Sequence, residues 1–381
     1  MNEEEKTNVP ETEEEQADAV KYDFVMFKNE GTPKKNKSAK EKKKGGRARR
    51  VIFRCLLSLL TFILIAALAV FSVCAVVFKG PSTSARDKLV ASTLEMSAAK
   101  WVPRLFFSQK EIDEITKNNS VLPTDEITKP DLITTPTSNA TTDDDEWADY
   151  PDGIRIYNVK GDTYRAYVML IRDPSRVYVA ASSDFTGGSP GLRIMDVYNR
   201  EGAVAAINGG GFPDAGGVGA GDVPVGLTIS KGAHLWGYDT EWYGSIVGFD
   251  KNNVLIVGNI TRTEAEKLGI RDCVSFGPIL VVNGEPATIA GDSGSLNPRT
   301  AIGQRADGAV IFLCVDGRMP SSLGASYSDL IDIMIEFGAV NAANLDGGSS
   351  SHMIYNGEYV NVSSSLYGPR RMPTFFMVKG E

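Results

Sequence analysis

The sequence predicts an α+β fold with mixed, largely antiparallel sheets and few helices, preceded by one transmembrane helix. Three observations predict it. Cys55–Phe78 is a run without a single charged residue. Beyond residue 150, short β-rich runs alternate with turn pairs such as Asn283-Gly284. In that same region, helical periodicity appears in only two places.

Residues 1–50 are polar, with an acidic run at Glu11–Glu15 and a basic one at Lys34–Arg50. They cannot bury enough apolar surface to order themselves and read as a disordered cytoplasmic tail. Residues 51–79 form the transmembrane helix, since about 20 apolar residues cross a bilayer core. The span lies too far from the N-terminus to be an ordinary cleaved signal peptide. Its N-terminal flank is rich in Lys and Arg, which makes the chain a single-pass type II protein of the cell membrane with residues 80–381 outside. Residues 80–150 read as a stalk or linker. They hold a short helical stretch within 81–117 and then a Thr/Asp/Asn/Ser/Pro-rich run.

Residues 151–381 form the domain. Strands are expected at Arg165–Ile171, Arg176–Ala181, Val204–Ile207, Gly226–Ile229, Ser245–Phe249, Val254–Val257, Ile279–Val282, Thr300–Gly303, Val310–Val315, Met353–Tyr355 and Thr374–Val378. Lys231-Gly232, Asn283-Gly284, Asp307-Gly308 and Asn356-Gly357 mark hairpin turns. One helix is expected over Gly191–Arg200. A second starts from a Ser326 cap, buries Leu330, Met334 and Phe337, and stops at Gly338.

Composition excludes several chemistries. The net charge is −8, distributed as +2, −4 and −6 over residues 1–50, 51–150 and 151–381. The external part is therefore acidic and no nucleic-acid partner is indicated. Two histidines, His234 and His352, exclude a three-His zinc site. There is neither a Walker A motif nor a CxxC pair. Cys55 and Cys74 lie in the span. Cys273 and Cys314 face the outside, where a disulfide and two buried thiols are both compatible with the sequence.

Four segments carry candidate chemistry. In NPRTAIGQRADGAVIFLCVDGR (297–318), a two-residue turn at Asp307-Gly308 places Arg299 opposite Asp316, with Arg318 just beyond. In NAANLDGGSSSH (341–352), a small-residue strand delivers Asp346 into Gly347, Gly348 and Ser349, whose backbone amides can hold an oxyanion. In AAINGGGF (205–212), Asn208 is placed to bond a sugar hydroxyl. Arg370 and Arg371 offer guanidinium forks suited to phosphate oxygens. The glycine-rich run 214–222 suggests a lid, and Trp236, Tyr238, Trp242 and Tyr243 a stacking cluster. Gly187–Gly191 matches GxSxG, with Ser189 as nominal nucleophile and His352 with Asp316 or Asp346 as partners. Five residues separate the expected strand from the motif, which argues against that elbow.

Taken in order, AAINGGGF, SFGPILVVNG, NPRTAIGQ, VDGR, NLDGGSSS and GPRRMPTFF resemble the successive blocks of the phosphodiester glycosidase family over residues 150–381. One departure is the run Gly209-Gly210-Gly211-Phe212, where the family pattern has Gly-Ser-Phe-Phe. Two side chains that would contact substrate are missing there. The resemblance implies hydrolysis of a sugar-1-phosphodiester in surface polysaccharide or cell-wall glycopolymer. Its phosphate leaving group needs charge stabilisation, which Arg299, Arg318 or Arg371 can supply. Asp346, and after it Asp316, is the carboxylate expected beside the oxocarbenium-like sugar. No metal ligand set is expected, although a divalent cation near either carboxylate is compatible with the sequence. A non-catalytic glycopolymer-binding module is the alternative, and a serine hydrolase using Ser189 the weaker one.

Overall fold

A computed structural model describes residues 39–96, 99–135, 145–214, 219–237, 242–291, 294–365 and 367–380. The chain divides into two compact units, one up to Leu68 and one from Ala69 onward. In the first lies most of helix α1 (Ala39–Lys79). Among the described residues, its Arg49–Lys79 stretch is the one helix long and apolar enough to cross a membrane. Residues 39–50, expected in the tail, are helical. The rest of the expected tail, residues 1–38, lies outside the described residues.

The second unit opens with the end of α1, where Phe78 is buried against Phe106 and Phe107, at ring distances of 4.9 and 5.4 Å. Val90 of α2 (Thr83–Glu95) and Ile115 of α3 (Gln109–Lys117) complete this cluster. The segment expected to be a free stalk therefore packs. The Leu122 amide donates to the Thr288 carbonyl, and Thr128 bonds Leu255 and Val257. Ile133 is buried in the domain. Its Thr- and Pro-rich composition conceals isolated isoleucines spaced to bury along an extended chain. Residues 136–144 of that stretch lie outside the described residues.

Among the described residues, three sheets are present, and every strand pairing in them is antiparallel. The first has seven strands in the order β1 (Ile154–Lys160), β2 (Arg165–Ile171), β13 (Val310–Val315), β12 (Arg299–Arg305), β14 (Ala339–Leu345), β10 (Ile279–Val282) and β11 (Glu285–Pro286). The second runs β16 (Glu358–Tyr359), β15 (Met353–Tyr355), β4 (Ala203–Asn208), β17 (Thr374–Lys379), β3 (Val177–Ala181). The third runs β6 (Ala233–Trp236), β5 (Thr228–Ser230), β9 (Ile270–Ser275), β7 (Trp242–Asp250), β8 (Leu255–Thr261).

Each sheet turns one face to a shared apolar centre, where Phe312 and Leu345 meet Val179, Phe376, Phe249 and Val257. The outer faces are covered by α6 (Tyr327–Glu336), α4 (Ile194–Glu201) and α5 (Arg262–Leu268), respectively. The expected Ser326 cap is present and forms a reciprocal box with Asp329. All eleven expected strands are found, within a few residues. β14 is the small-residue strand expected before Asp346, while β1, β6, β9 and the two-residue β11 and β16 lie outside the expected ranges. β9 hides behind its charges, since Asp272 is buried and accepts from the amides of Val179 and Lys231.

One expected register is wrong. Lys231-Gly232, Asn283-Gly284 and Asn356-Gly357 all have both residues at positive φ, as two-residue hairpin turns require. At Asp307-Gly308 only the glycine does (φ +89°). The Gly308 amide donates to Arg305, and Arg305 in turn pairs with Ala309, making a three-residue loop. This slip of one residue sets Arg299 opposite Val315, so Asp316 points to the other sheet face. Cys273 and Cys314 are buried free thiols in different sheets, not a disulfide.

Candidate active site

The ends of β12 and β14, the start of α6 and the loop after β9 converge on a recess of about 420 Å³. Thr300 pairs with Leu345 across β12 and β14. One step further in that register, Arg299 stands beside Asp346, and both line the recess. The arginine expected to pair with Asp316 thus has its carboxylate neighbour on the opposite flank.

Asp346 is recessed at the floor. Burial raises its pKa to about 6, against the lowering effects of Ser350, Arg370 and the Gly347 amide. That amide donates to Asp346 Oδ1 at 3.0 Å. The Gly348 amide donates to the Pro298 carbonyl at 2.9 Å. Of the three amides expected to hold an oxyanion, those of Gly347 and Gly348 are therefore occupied. What Gly348 provides is space: it adopts φ +64°, and a Cβ there would lie 3.1 Å from the Arg318 guanidinium. Arg318, itself at φ +59°, lies over this glycine and donates to Asn297 Oδ1. Burial lowers its pKa, and neighbouring Arg299 adds to the effect.

Arg299 is almost wholly buried. It donates to the Tyr327 hydroxyl (3.1 Å), to Ser295 Oγ (2.7 Å) and to the carboxylate of Glu95 (3.0 Å). Burial works against its charge, but Tyr327 and Glu95 outweigh it and hold the pKa above the ordinary value. Glu95 also accepts from Ser295 Oγ at 2.5 Å and Asn297 Nδ2 at 2.9 Å. One carboxylate from the supposed stalk thus sits in a cradle of hydroxyl, amide and guanidinium donors.

Other expected residues fall elsewhere. Asn208 is fully buried and saturated: it donates to the Asp346 carbonyl and accepts from Thr300 and the His352 amide. It braces Asp346 from below and offers nothing to a sugar. Asp316 is buried outside the recess, accepting from the Val362 amide, Asn361 and Tyr167. Arg371 is exposed and donates to the Gly191 carbonyl. Arg370 is the member of that pair that lines the recess. It is ion-paired to Asp214 at 2.9 Å, lies over the Phe212 ring, and reaches Ser349 Oγ. Phe212 is the one aromatic kept in the first block, so this departure from the family pattern retains a ring under Arg370. Ser189 is exposed on a loop while His352 is buried beside Tyr359, so no serine triad forms. Residues 215–218 of the expected lid, together with Tyr238 and the side chains of Trp242 and Tyr243, lie outside the described residues. Among those described, no group of three or more His, Cys, Asp or Glu side chains is placed to hold a metal ion.

The reading of the sequence missed Glu95, Lys100, Asp214, Phe276, Ser295, Asn297 and Tyr327, which line or brace the recess, and of the Arg370-Arg371 pair it favoured Arg371 for the site. Ser295, Asn297 and Arg299 did carry a signal, since alternate residues of an extended chain share a side. Glu95 and Lys100 carried none.

A carboxylate thus stands beside three guanidinium groups at the ends of antiparallel strands, an arrangement that suits an anionic ligand. Residues 201–379 match the family model described as phosphodiester glycosidase. The chain is 32% identical over 190 residues to the SPbeta prophage-derived uncharacterized protein YomE of Bacillus subtilis (strain 168). That match takes in 47% of this chain but spans 28% of the relative's length. The fold is similar to that of the catalytic domain of zebrafish N-acetylglucosamine-1-phosphodiester alpha-N-acetylglucosaminidase, which is auto-inhibited by its pro-peptide. The TM-score is 0.53 at 19% identity, over 67% of this chain and 88% of that one.

Proposed function

We propose that this chain hydrolyses a sugar-1-phosphodiester at the outer surface of the membrane, freeing the sugar from a phosphate monoester. The observation that carries this reading is the cradle of Ser295, Asn297 and Arg299, which already holds an anion, the Glu95 carboxylate. A phosphate oxygen makes the same demands on those donors. With phosphate there, the sugar C1 lies toward Asp346. Water attacks C1, Asp346 takes the water's proton, and the C1–O electron pair leaves with the phosphate. Arg299 and Arg318 neutralise the charge gathering on that leaving group, whose second pKa of about 6 spares it a general acid.

Glu95 then acts as a built-in competitor for the phosphate site; the zebrafish catalytic domain is auto-inhibited too, there by its pro-peptide. Glu95 is the last residue of α2, so rotation of one side chain clears Arg299. The basic flank of the apolar span puts the N-terminus in the cytoplasm and the domain outside. A surface polysaccharide, a wall glycopolymer or a membrane-borne precursor of either is then within reach.

The test uses the full chain in detergent with the methyl ester of GlcNAc-1-phosphate. Free GlcNAc should appear, and Glu95→Ala should raise kcat/KM about tenfold by removing the competitor. Absence of release from any glycosyl phosphodiester by either protein rejects the reading. Tight binding of an ester left intact would identify a glycopolymer-binding module instead.

A further inference from the structure

Beside the recess runs an apolar groove of about 660 Å³ that the reaction above leaves unused. One wall is a face of α2 and its cap, with Ala85, Leu89 and Met96 following one another at helical spacing. The other wall is formed by Leu296, Met319 and Leu323, and Leu323 is more than half exposed. The Leu296 amide donates to Ser92 Oγ at 2.9 Å and ties the two walls together.

The two ends of the groove differ in kind. At one end stands Arg318, which lines both the groove and the phosphate recess. The other end, at Ala85, lies six residues beyond the last residue of the apolar α1 helix, Lys79. From Ala85 to Met96 the helix rise gives a length of about 16 Å. A guanidinium at one mouth and a membrane-spanning helix close in sequence to the other suit a molecule with a phosphate head and a hydrocarbon tail. An open groove lined by three Leu and two Met, with Lys88 and Ser92 on its helical wall, gains little from a sugar polymer or a hydrophilic alcohol.

We propose that the groove binds the hydrocarbon chain of a lipid alcohol esterified to the phosphate, so that the substrate is a lipid-linked sugar-1-phosphate drawn from the membrane. This inference rests on the phosphodiester glycosidase reading and specifies the alcohol half of the ester. The products are the free sugar and the lipid monophosphate, which stays in the membrane.

The experiment compares dodecyl and methyl esters of GlcNAc-1-phosphate on the full chain in lipid nanodiscs. The dodecyl ester should show a KM at least tenfold lower, the equivalent of burying about two methylene groups. The double variant Leu323→Gln, Met319→Gln should lose most of that difference and leave the methyl ester's KM unchanged. Partition into the disc is common to both proteins and cancels. Equal KM values for the two esters, or equal losses on both, would overturn the inference. A second readout does not depend on turnover: calorimetric binding of dodecyl phosphate against methyl phosphate to the Glu95→Ala protein. A preference for the long chain that the double variant abolishes, without hydrolysis of either ester, keeps the groove and rejects the glycosidase reading. Hydrolysis without any chain preference in rate or binding does the reverse.

Discussion

Asp346 is the residue on which the proposed chemistry turns, and its environment makes that role testable by pH. With a folded pKa of about 6 against an ordinary 3.8, it binds its proton more tightly in the fold than in the unfolded chain. Its ionised form therefore costs stability, and that cost grows as pH rises from about 4 to about 6. Asp346→Asn should raise Tm at pH 8 by several degrees, with the gain vanishing near pH 4, while kcat/KM falls at least a thousandfold. In the native protein kcat/KM should rise with pH through about 6, because a base must be ionised; a profile flat from pH 5 to 8 would exclude that role. The two adjacent arginines make a sharper comparison. Arg370→Ala removes a charge from the recess and leaves Asp214 unpaired, so KM should rise about tenfold or more. Arg371→Ala removes one bond to the Gly191 carbonyl and should change KM less than twofold.

At the scale of elements, the β12–β13 hairpin decides which carboxylate belongs to the site. Asp307-Gly308 looks like a two-residue turn, yet Asp307 stays out of the left-handed region and its carboxylate caps the Ala309 amide. That local bond, invisible in a hydrophobic pattern, adds a residue to the loop and turns Asp316 away from Arg299. Asp316→Asn should accordingly keep kcat/KM within about threefold. Asp316→Ala should cost about 1–3 kcal/mol of stability, measured by urea unfolding, because the Val362 amide loses its acceptor. Helix α2 shows a different limit. Its residues bear no resemblance to the family, and it enters the site through Leu94 and the carboxylate of Glu95. The strands, by contrast, were legible wherever β-branched runs met glycine turns. β9 was not, since a buried aspartate interrupts its pattern.

For the whole molecule, the apolar helix and the proposed placement of the domain outside the membrane make one prediction about topology. Protease added to intact cells should degrade the region beyond residue 80 and spare an epitope tag at the N-terminus; the opposite pattern would reverse the orientation. The cluster of Phe78, Phe106 and Phe107 adds a second. A chain begun at Gly80 lacks Phe78 and bares Phe106 and Phe107, so it should be less soluble and less heat-stable than one begun at Ala69.

The apolar span, the antiparallel α+β domain and the family resemblance follow from residues read in order, because hydrophobic period, turn chemistry and short motifs are local properties. The carboxylate that lines the recess, the place of Arg370 rather than Arg371 in it, the burial of Asn208 and the presence of Glu95 on Arg299 belong to the folded chain. Each depends on which face a side chain takes after a turn closes, or on contacts between segments some 200 residues apart, and neither quantity is encoded in a window of neighbouring residues.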